Sequence, residues 1–289
     1  MKEIQEEPLY SFGTELGITL PNISNPTEWI PEKESSSKMG ILPSSAIVRK
    51  QKERSLDSTV YEIFSTVFMS RLLKQYNQYL STTTFYCPEV LRLEYGQKGT
   101  RDNKTSILYE FFCPGTPLNK IERSRRKDYF VGGEPVRIED RVMYLSGAIS
   151  KIFLREGLVH GDPQLRHFIL LPNKGEIQDI SMTGQLGFAS PQNGLGIIDL
   201  ENMRILDSSS ETLREDQDKF KRRVYRNFST ERSNEFFEGG SKIIESSCRN
   251  FLGKINTYDI AFNTFNCRFP NSYIQSIDMQ EGRPIWKKN

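Results

Sequence analysis

His160-Gly161-Asp162-Pro163-Gln164-Leu165-Arg166-His167 runs directly into Phe168-Ile169-Leu170-Leu171, and the reading of this stretch decides the fold. It contains both histidines of the chain, one on each side of an aspartate. A helical pattern leads into it. Val142, Leu145, Ile149, Ile152 and Phe153 recur at helix spacing between Ile138 and Glu156, and Gly157 supplies a stop. The apolar run after His167 predicts a short buried strand. Downstream, Gly196-Ile197-Ile198-Asp199-Leu200-Glu201 places a second aspartate at the end of another apolar run. A His-Gly-Asp triplet alone is a loop turn in most chains; the helix before it, the strand after it and the acid-ended strand beyond give it a context.

Phosphoryl transfer from a nucleotide uses two carboxylates in such settings. One orients or deprotonates the attacking hydroxyl, and the other holds the metal that bridges the phosphates. The spacing resembles the kinase catalytic loop, His-x-Asp and then Asn after four residues, with His167 in the Asn position. Asp199 resembles the metal-binding aspartate, and the His-Gly-Asp form is similar to aminoglycoside-phosphotransferase-like and small atypical kinases of the RIO and KEOPS type. The resemblance implies an α+β, two-lobed protein-kinase-like fold, with a small mainly β N-lobe and a larger mainly α C-lobe. It implies an irregular N-terminal segment and the start of the N-lobe over 1–45, the N-lobe over 46–114 and a C-lobe with the catalytic loop over 115–289. It further implies ATP and Mg2+, Asp162 as catalytic residue, and Asp199 and His167 at the metal. Imidazole is a poor magnesium ligand, which brings in Mn2+ as an alternative. His160 is expected to bond backbone near the strand that carries Asp199.

Pro21, Pro26, Pro31 and Pro43 punctuate the first 45 residues and argue against long elements there. Ser44 to Gln51 predicts a strand ending in bases. In the resemblance, Arg49 takes the place of the phosphate-binding lysine, with Lys50 as the alternative; only one can face the nucleotide, because side chains alternate along a strand. A helix is predicted from Asp57 to Tyr79. Glu62 is the best-placed acid to pair with the phosphate-binding base, although Thr59 to Glu62 also has capping-box form. Counting back from Leu72-Leu73 would put the family's glutamate at Met69 instead. A second strand is expected over Tyr86 to Leu91, followed by a polar turn from Gly96 to Lys104. Ser106 to Phe112 followed by Pro114-Gly115 resembles the hinge between lobes, where Glu110, Phe111 and Phe112 would hold the adenine edge. No glycine-rich phosphate loop stands in its usual form; Gly13 to Gly17 lies far ahead, and Ser35 to Gly40 lies at a more suitable distance.

The chain has 289 residues, a net charge of +2 and 26% charged residues, which gives no global attraction to nucleic acid. Two basic runs, Arg123 to Lys127 and Lys219 to Arg223, are read first as solvated faces and second as a contact for RNA or an RNA-modifying assembly. The four cysteines are scattered without metal-ligand spacing. No apolar run has membrane-spanning length, and the acidic start lacks a signal-peptide pattern, so a cytoplasmic protein is expected. From Ser233 to Lys254 further helix is expected, and the tail from Gly282 to Asn289 is expected to be flexible. The reading that emerges is phosphotransfer to a hydroxyl of a protein or small molecule. Its alternative is a pseudokinase that keeps only nucleotide or partner binding.

Overall fold

The computed structural model describes residues 10–11, 30–31, 38–42, 47–54, 56–81, 83–88, 90–99, 104–111, 113, 115–172, 193–249, 276–280 and 283–287. In chain order the strands begin with β1 (Tyr10–Ser11), β2 (Ile30–Pro31), β3 (Lys38–Leu42) and β4 (Ile47–Arg54). Helix α1 (Leu56–Asn77) follows, then β5 (Thr83–Tyr86), β6 (Val90–Gly99), β7 (Lys104–Phe111), β8 (Thr116–Pro117), β9 (Tyr129–Val131) and β10 (Glu134–Val136). Helix α2 (Ile138–Glu156) leads to β11 (Leu158–Val159), β12 (Phe168–Leu170), β13 (Asn193–Ile197) and β14 (Arg204–Ile205). Helices α3 (Glu211–Phe228) and α4 (Ser233–Ser247) precede the hairpin β15 (Ser276–Gln280) and β16 (Arg283–Lys287).

The fold class is α+β. An antiparallel six-stranded sheet, in the order β1-β6-β7-β4-β3-β2, holds the N-terminal strands. Helices α2, α3 and α4 pack together in the C-terminal part, α2 against both others. A small sheet in the order β5-β13-β12-β8, in which β13 runs parallel to β5 and antiparallel to β12, packs on α1 through β5 and on α2 through β13. Among the described residues no helix is long and apolar enough to cross a membrane.

Local sequence explains much of this. Helix α2 spans the predicted residues and ends at Gly157, whose φ of 69° is the left-handed value a glycine adopts without cost. Helix α1 starts one residue before its predicted span and is buried on every side from Tyr61 to Ser70. Thr59 therefore lies inside the helix, and the capping-box reading fails. Asn77 ties its end to β5: Nδ2 donates to the Phe85 carbonyl and Oδ1 accepts the Phe85 N–H, both at 2.8 Å.

Four other local expectations change. Strand β4 continues to Arg54, three residues beyond the predicted end, because it pairs with β7 along its whole length. The region expected as one strand from Tyr86 to Leu91 is divided between β5 and β6, and β6 extends through Gly96 to Gly99. Residues 38–40, one half of the second phosphate-loop candidate, belong to β3; Ser35 to Ser37 and Gly13 to Gly17 lie outside the described residues. Residues 283–287 of the tail form β16, paired in register with β15, in place of the expected flexible end.

The C-terminal core depends on one close helix approach. A methyl group at Gly147 of α2 would lie 1.9 Å from the Phe237 carbonyl oxygen of α4, and one at Gly240 of α4 would lie 1.9 Å from that of Tyr144. Ser241 Oγ crosses the same contact and donates to the Gly147 carbonyl at 3.1 Å. Gly147→Ala is expected to force the helices apart at a cost of about 1–3 kcal/mol, despite alanine's better helix propensity. Thermal unfolding followed by circular dichroism should show Tm falling by several degrees.

Candidate active site

The loop that begins at His160 is held from below by one buried carboxylate. Asp216 of α3 accepts the His160 N–H on Oδ2 at 3.0 Å and the Gly161 N–H on Oδ1 at 3.2 Å. Burial pushes the Asp216 carboxyl up, against the pull of those two amides. Gly161 has a φ of 85°, and a methyl group there would sit 2.3 Å from the Asn202 carbonyl oxygen, so the turn needs glycine.

The two imidazoles stack, with centroids 5.6 Å apart and planes 9° from parallel. His160 is fully buried, and its Nε2 lies 3.2 Å from the Ile198 carbonyl oxygen. An oxygen there accepts, so Nε2 carries the proton; Nδ1 has no hydrogen-bond partner. Protonating Nδ1 would bury an unmatched charge. Burial accordingly holds the His160 pKa down to about 4, and the neighbouring His167 ring acts in the same direction.

His167 brings the two aspartates together. Its Nδ1 lies 2.8 Å from the Asp162 carbonyl oxygen and 3.9 Å from Asp162 Oδ2, and its Nε2 lies 3.1 Å from Asp199 Oδ2. Arg166 Nε also donates to Nε2 at 3.0 Å. With the ring proton on Nδ1, the Nε2 lone pair is already taken by Arg166 and faces an oxygen of like polarity on Asp199. Asp162 and Asp199 side chains are 35% and 32% exposed, within reach of a ligand from solvent. Gln164 Nε2 donates to Asp162 Oδ2 at 2.9 Å and limits its rotation. Asp199 has a φ of 61°, the one non-glycine positive value among the described residues. Such strain costs about 1–3 kcal/mol and persists where the surroundings fix it, commonly at functional sites.

The sheet supplies cations from the other side. Lys50 and Lys52 are two apart on β4 and so share a face. Lys50, with 11% of its side chain exposed, pairs with the buried Glu110. Burial opposes the Lys50 charge, but Glu110 and then Glu62 outweigh it and raise its pKa above the usual lysine value; Asp199 adds to this. Burial likewise pushes the Glu110 carboxyl up. Lys52 Nζ lies 3.7 Å from Glu62 Oε2 and donates to Glu201 Oε2 at 2.7 Å. Glu62 thus meets a base that sequence reading passed over, because the predicted strand stopped at Gln51. Arg49 is one residue out of step with both lysines, opposite Gly40 and Tyr109, and its side chain lies outside the described set.

Residues from four segments form a small buried apolar cluster. Tyr86, Cys113, Ile169 and Leu171 are buried together, with Ile198 against them. Burial raises the Cys113 thiol pKa, and the charges of Glu110 and Lys50 reach it. Of the expected hinge residues, Glu110 points its side chain at Lys50, Phe111 ends β7, and Phe112 lies outside the described residues.

Sequence reading missed Asp216, Lys52 and this apolar cluster. Asp216 had a visible signal. It shares a helical stripe with Leu213, Phe220 and Val224, so an acid stands on the apolar face of a highly charged helix.

No protein-family model and no curated protein matches the chain. Among solved structures it is similar to WaaP in complex with acyl carrier protein, at 12% identity and a TM-score of 0.39, over 83% of this chain and 89% of that one. It is similar to the yeast RNA Pol II CTD kinase CTDK-1 complex at 9% identity and a TM-score of 0.33, over 66% of this chain and 51% of that one. The BubR1 kinase domain gives 12% and 0.33, over 90% and 65%. Likenesses at these scores carry no weight for activity, which leaves the side chains to speak.

His160 makes stability depend on pH. Its folded pKa lies below that of the unfolded chain, so its contribution is complete above about 6.5 and is lost as pH falls toward 4. The shift corresponds to about 3 kcal/mol. Urea unfolding across that window should show a falling midpoint in the native protein and a much flatter profile in His160→Asn.

Proposed function

We propose that the chain is an ATP-dependent phosphotransferase acting on a hydroxyl group. The observation that carries this reading is the convergence of Asp162 and Asp199 on the His167 ring, with Lys50 and Lys52 supplied from the sheet. Asp162 is in the position to accept the proton of the acceptor hydroxyl, provided its carboxylate comes within about 3 Å of that oxygen. The acceptor oxygen then forms a bond to the γ-phosphorus, the bond from that phosphorus to the β-bridging oxygen breaks, ADP leaves, and the proton passes from Asp162 to solvent. Lys52, at 20% exposure and next to Glu62 and Glu201, is the base assigned to the phosphates. Lys50 sits deeper and fixes the sheet through Glu110. The purine edge is assigned to the peptide groups of Glu110 and Phe111 at the end of β7, which leads into Cys113 of the buried apolar cluster.

The donor set suits magnesium at Asp199 better than at His167. Among the described residues no group of three or more His, Cys, Asp or Glu side chains has metal-binding geometry. Magnesium commonly takes one or two carboxylates and completes its shell with phosphate and water, so Asp199 fits. The His167 nitrogen is occupied by Arg166 and belongs to the hydrogen-bond frame. Bound at Asp199, the ion would neutralise charge on the phosphates. The role of His167 is then to tie the two segments together: its ring bonds the Asp162 carbonyl, and its own carbonyl accepts the Ile198 N–H just ahead of Asp199.

The Arg166 contact also favours a second reading, a nucleotide-binding module without turnover. The two readings separate by substitution. Nucleotide with Mg2+ should raise Tm, and Asp199→Ala should abolish the rise. Asp162→Ala should keep it and reduce transfer of labelled phosphate by at least about a hundredfold; equal trace turnover in both proteins favours the binding module, and no rise with any nucleotide discards both readings. Lys52→Met should weaken nucleotide binding, whereas an effect confined to Lys50→Met would reassign the phosphate contact.

A further inference from the structure

The two basic runs, far apart in the chain, meet on one surface. Arg123 Nε donates to the Asn227 carbonyl oxygen, near the end of α3, at 3.0 Å. Asn227 Nδ2 donates in turn to the Arg223 carbonyl oxygen at 2.8 Å. The segment 123–127 is thereby seated on the last turns of α3. Arg123, Arg125, Arg126, Lys127, Arg222 and Arg226 are all exposed there. No acid occurs from Arg123 to Lys127, nor from Lys219 to Phe228; Glu122, Asp128 and Asp218 bracket the two runs. Like charges gathered on one surface repel one another and project their field outward.

The patch also lies close to the catalytic loop. Arg223 follows Asp216 by two helical turns, about 10 Å of rise, and Asp216 holds the backbone of His160 and Gly161. The charge of Arg223 is felt at Asp216. The short 3-10 turn Leu118–Lys120, just before Arg123, packs on the 3-10 turn Leu165–His167 of the catalytic loop. Both runs thus start from elements that touch the proposed transfer site.

We propose that this surface binds the acceptor, and that the acceptor is a polypeptide segment whose hydroxyl is flanked by Asp or Glu side chains. The inference rests on the phosphotransferase reading. Of the seven exposed bases, counting Lys219, five are arginines, whose planar forks match carboxylates in a bidentate manner. A nucleic acid fits less well. The chain's net charge is only +2, and single strands need a row of aromatic platforms. The exposed large aromatics among the described residues are Tyr79 and Phe130, and neither lies in the two runs.

A fluorescein-labelled peptide of alternating Ser and Glu serves as the probe, with full-length protein and fluorescence anisotropy as readout. Saturable binding is expected, weakening as salt rises. Combined Arg125→Glu, Arg126→Glu and Lys127→Glu substitutions should weaken it by at least about tenfold. These side chains are exposed, and the same variant should retain native Tm. In the transfer assay it should raise KM for the Ser-Glu peptide while leaving kcat in place. Absence of saturable binding, equal affinity in the variant, or tighter binding of single-stranded RNA than of the peptide would overturn the assignment. The nucleotide-induced rise in Tm, read on the same preparations, separates the two proposals. Its absence removes the phosphotransferase reading; its presence without peptide binding removes only the acceptor surface.

Discussion

A buried carboxylate accepting two consecutive backbone amides is the constraint on which the remaining geometry depends. Asp216 holds the His160 and Gly161 N–H groups, and those two residues set where Asp162 begins. Leaving either amide without an acceptor in this interior would cost about 1–3 kcal/mol. The interaction also links helix α3 to the loop, so the packing of Phe220 against Phe168, with centroids 4.3 Å apart, stabilises the same geometry. Above the anchor, the stacked imidazoles carry the order upward, His160 to the Ile198 carbonyl and His167 to both aspartates.

The charged residues between β4 and the 199–201 segment alternate in sign. Glu110 and Glu62 are buried, and Lys50 and Lys52 lie between them and the acids of the 199–201 segment. Removing one member of a buried pair leaves its partner uncompensated, typically at several kcal/mol, which favours keeping all four. Lys52 reaches from β4 to Glu201 and so spans the gap between the sheet and the strand end that carries Asp199. A phosphate entering there would compete with Glu201 for the same ammonium group.

The order helix, His-Gly-Asp, strand and acid-ended strand was legible in the residues. Helical spacing, the glycine stop and the apolar runs are local signals, and α2, β12 and β13 follow them closely. Strand β4 was legible only as far as its own alternation reached; its last residues are strand because β7 pairs with them. Lys52 was missed for that reason. Helix α1 misled in another way. Its polar residues Glu62, Ser65 and Thr66 are buried, so its pattern did not separate the partner-facing glutamate from a capping one.

What the sequence by itself determined is the set of reactive groups and the local turns that present them: Asp162 after a glycine, and Asp199 at a strand end. These depend on backbone preferences within a few residues. What only the tertiary structure decided is which groups meet. Lys52 meets Glu62, Asp216 meets the loop amides, and the two arginine-rich runs share one face. Each of these contacts joins segments far apart in the chain. Their pairing is set by sheet register and helix packing, which no single stretch of residues encodes.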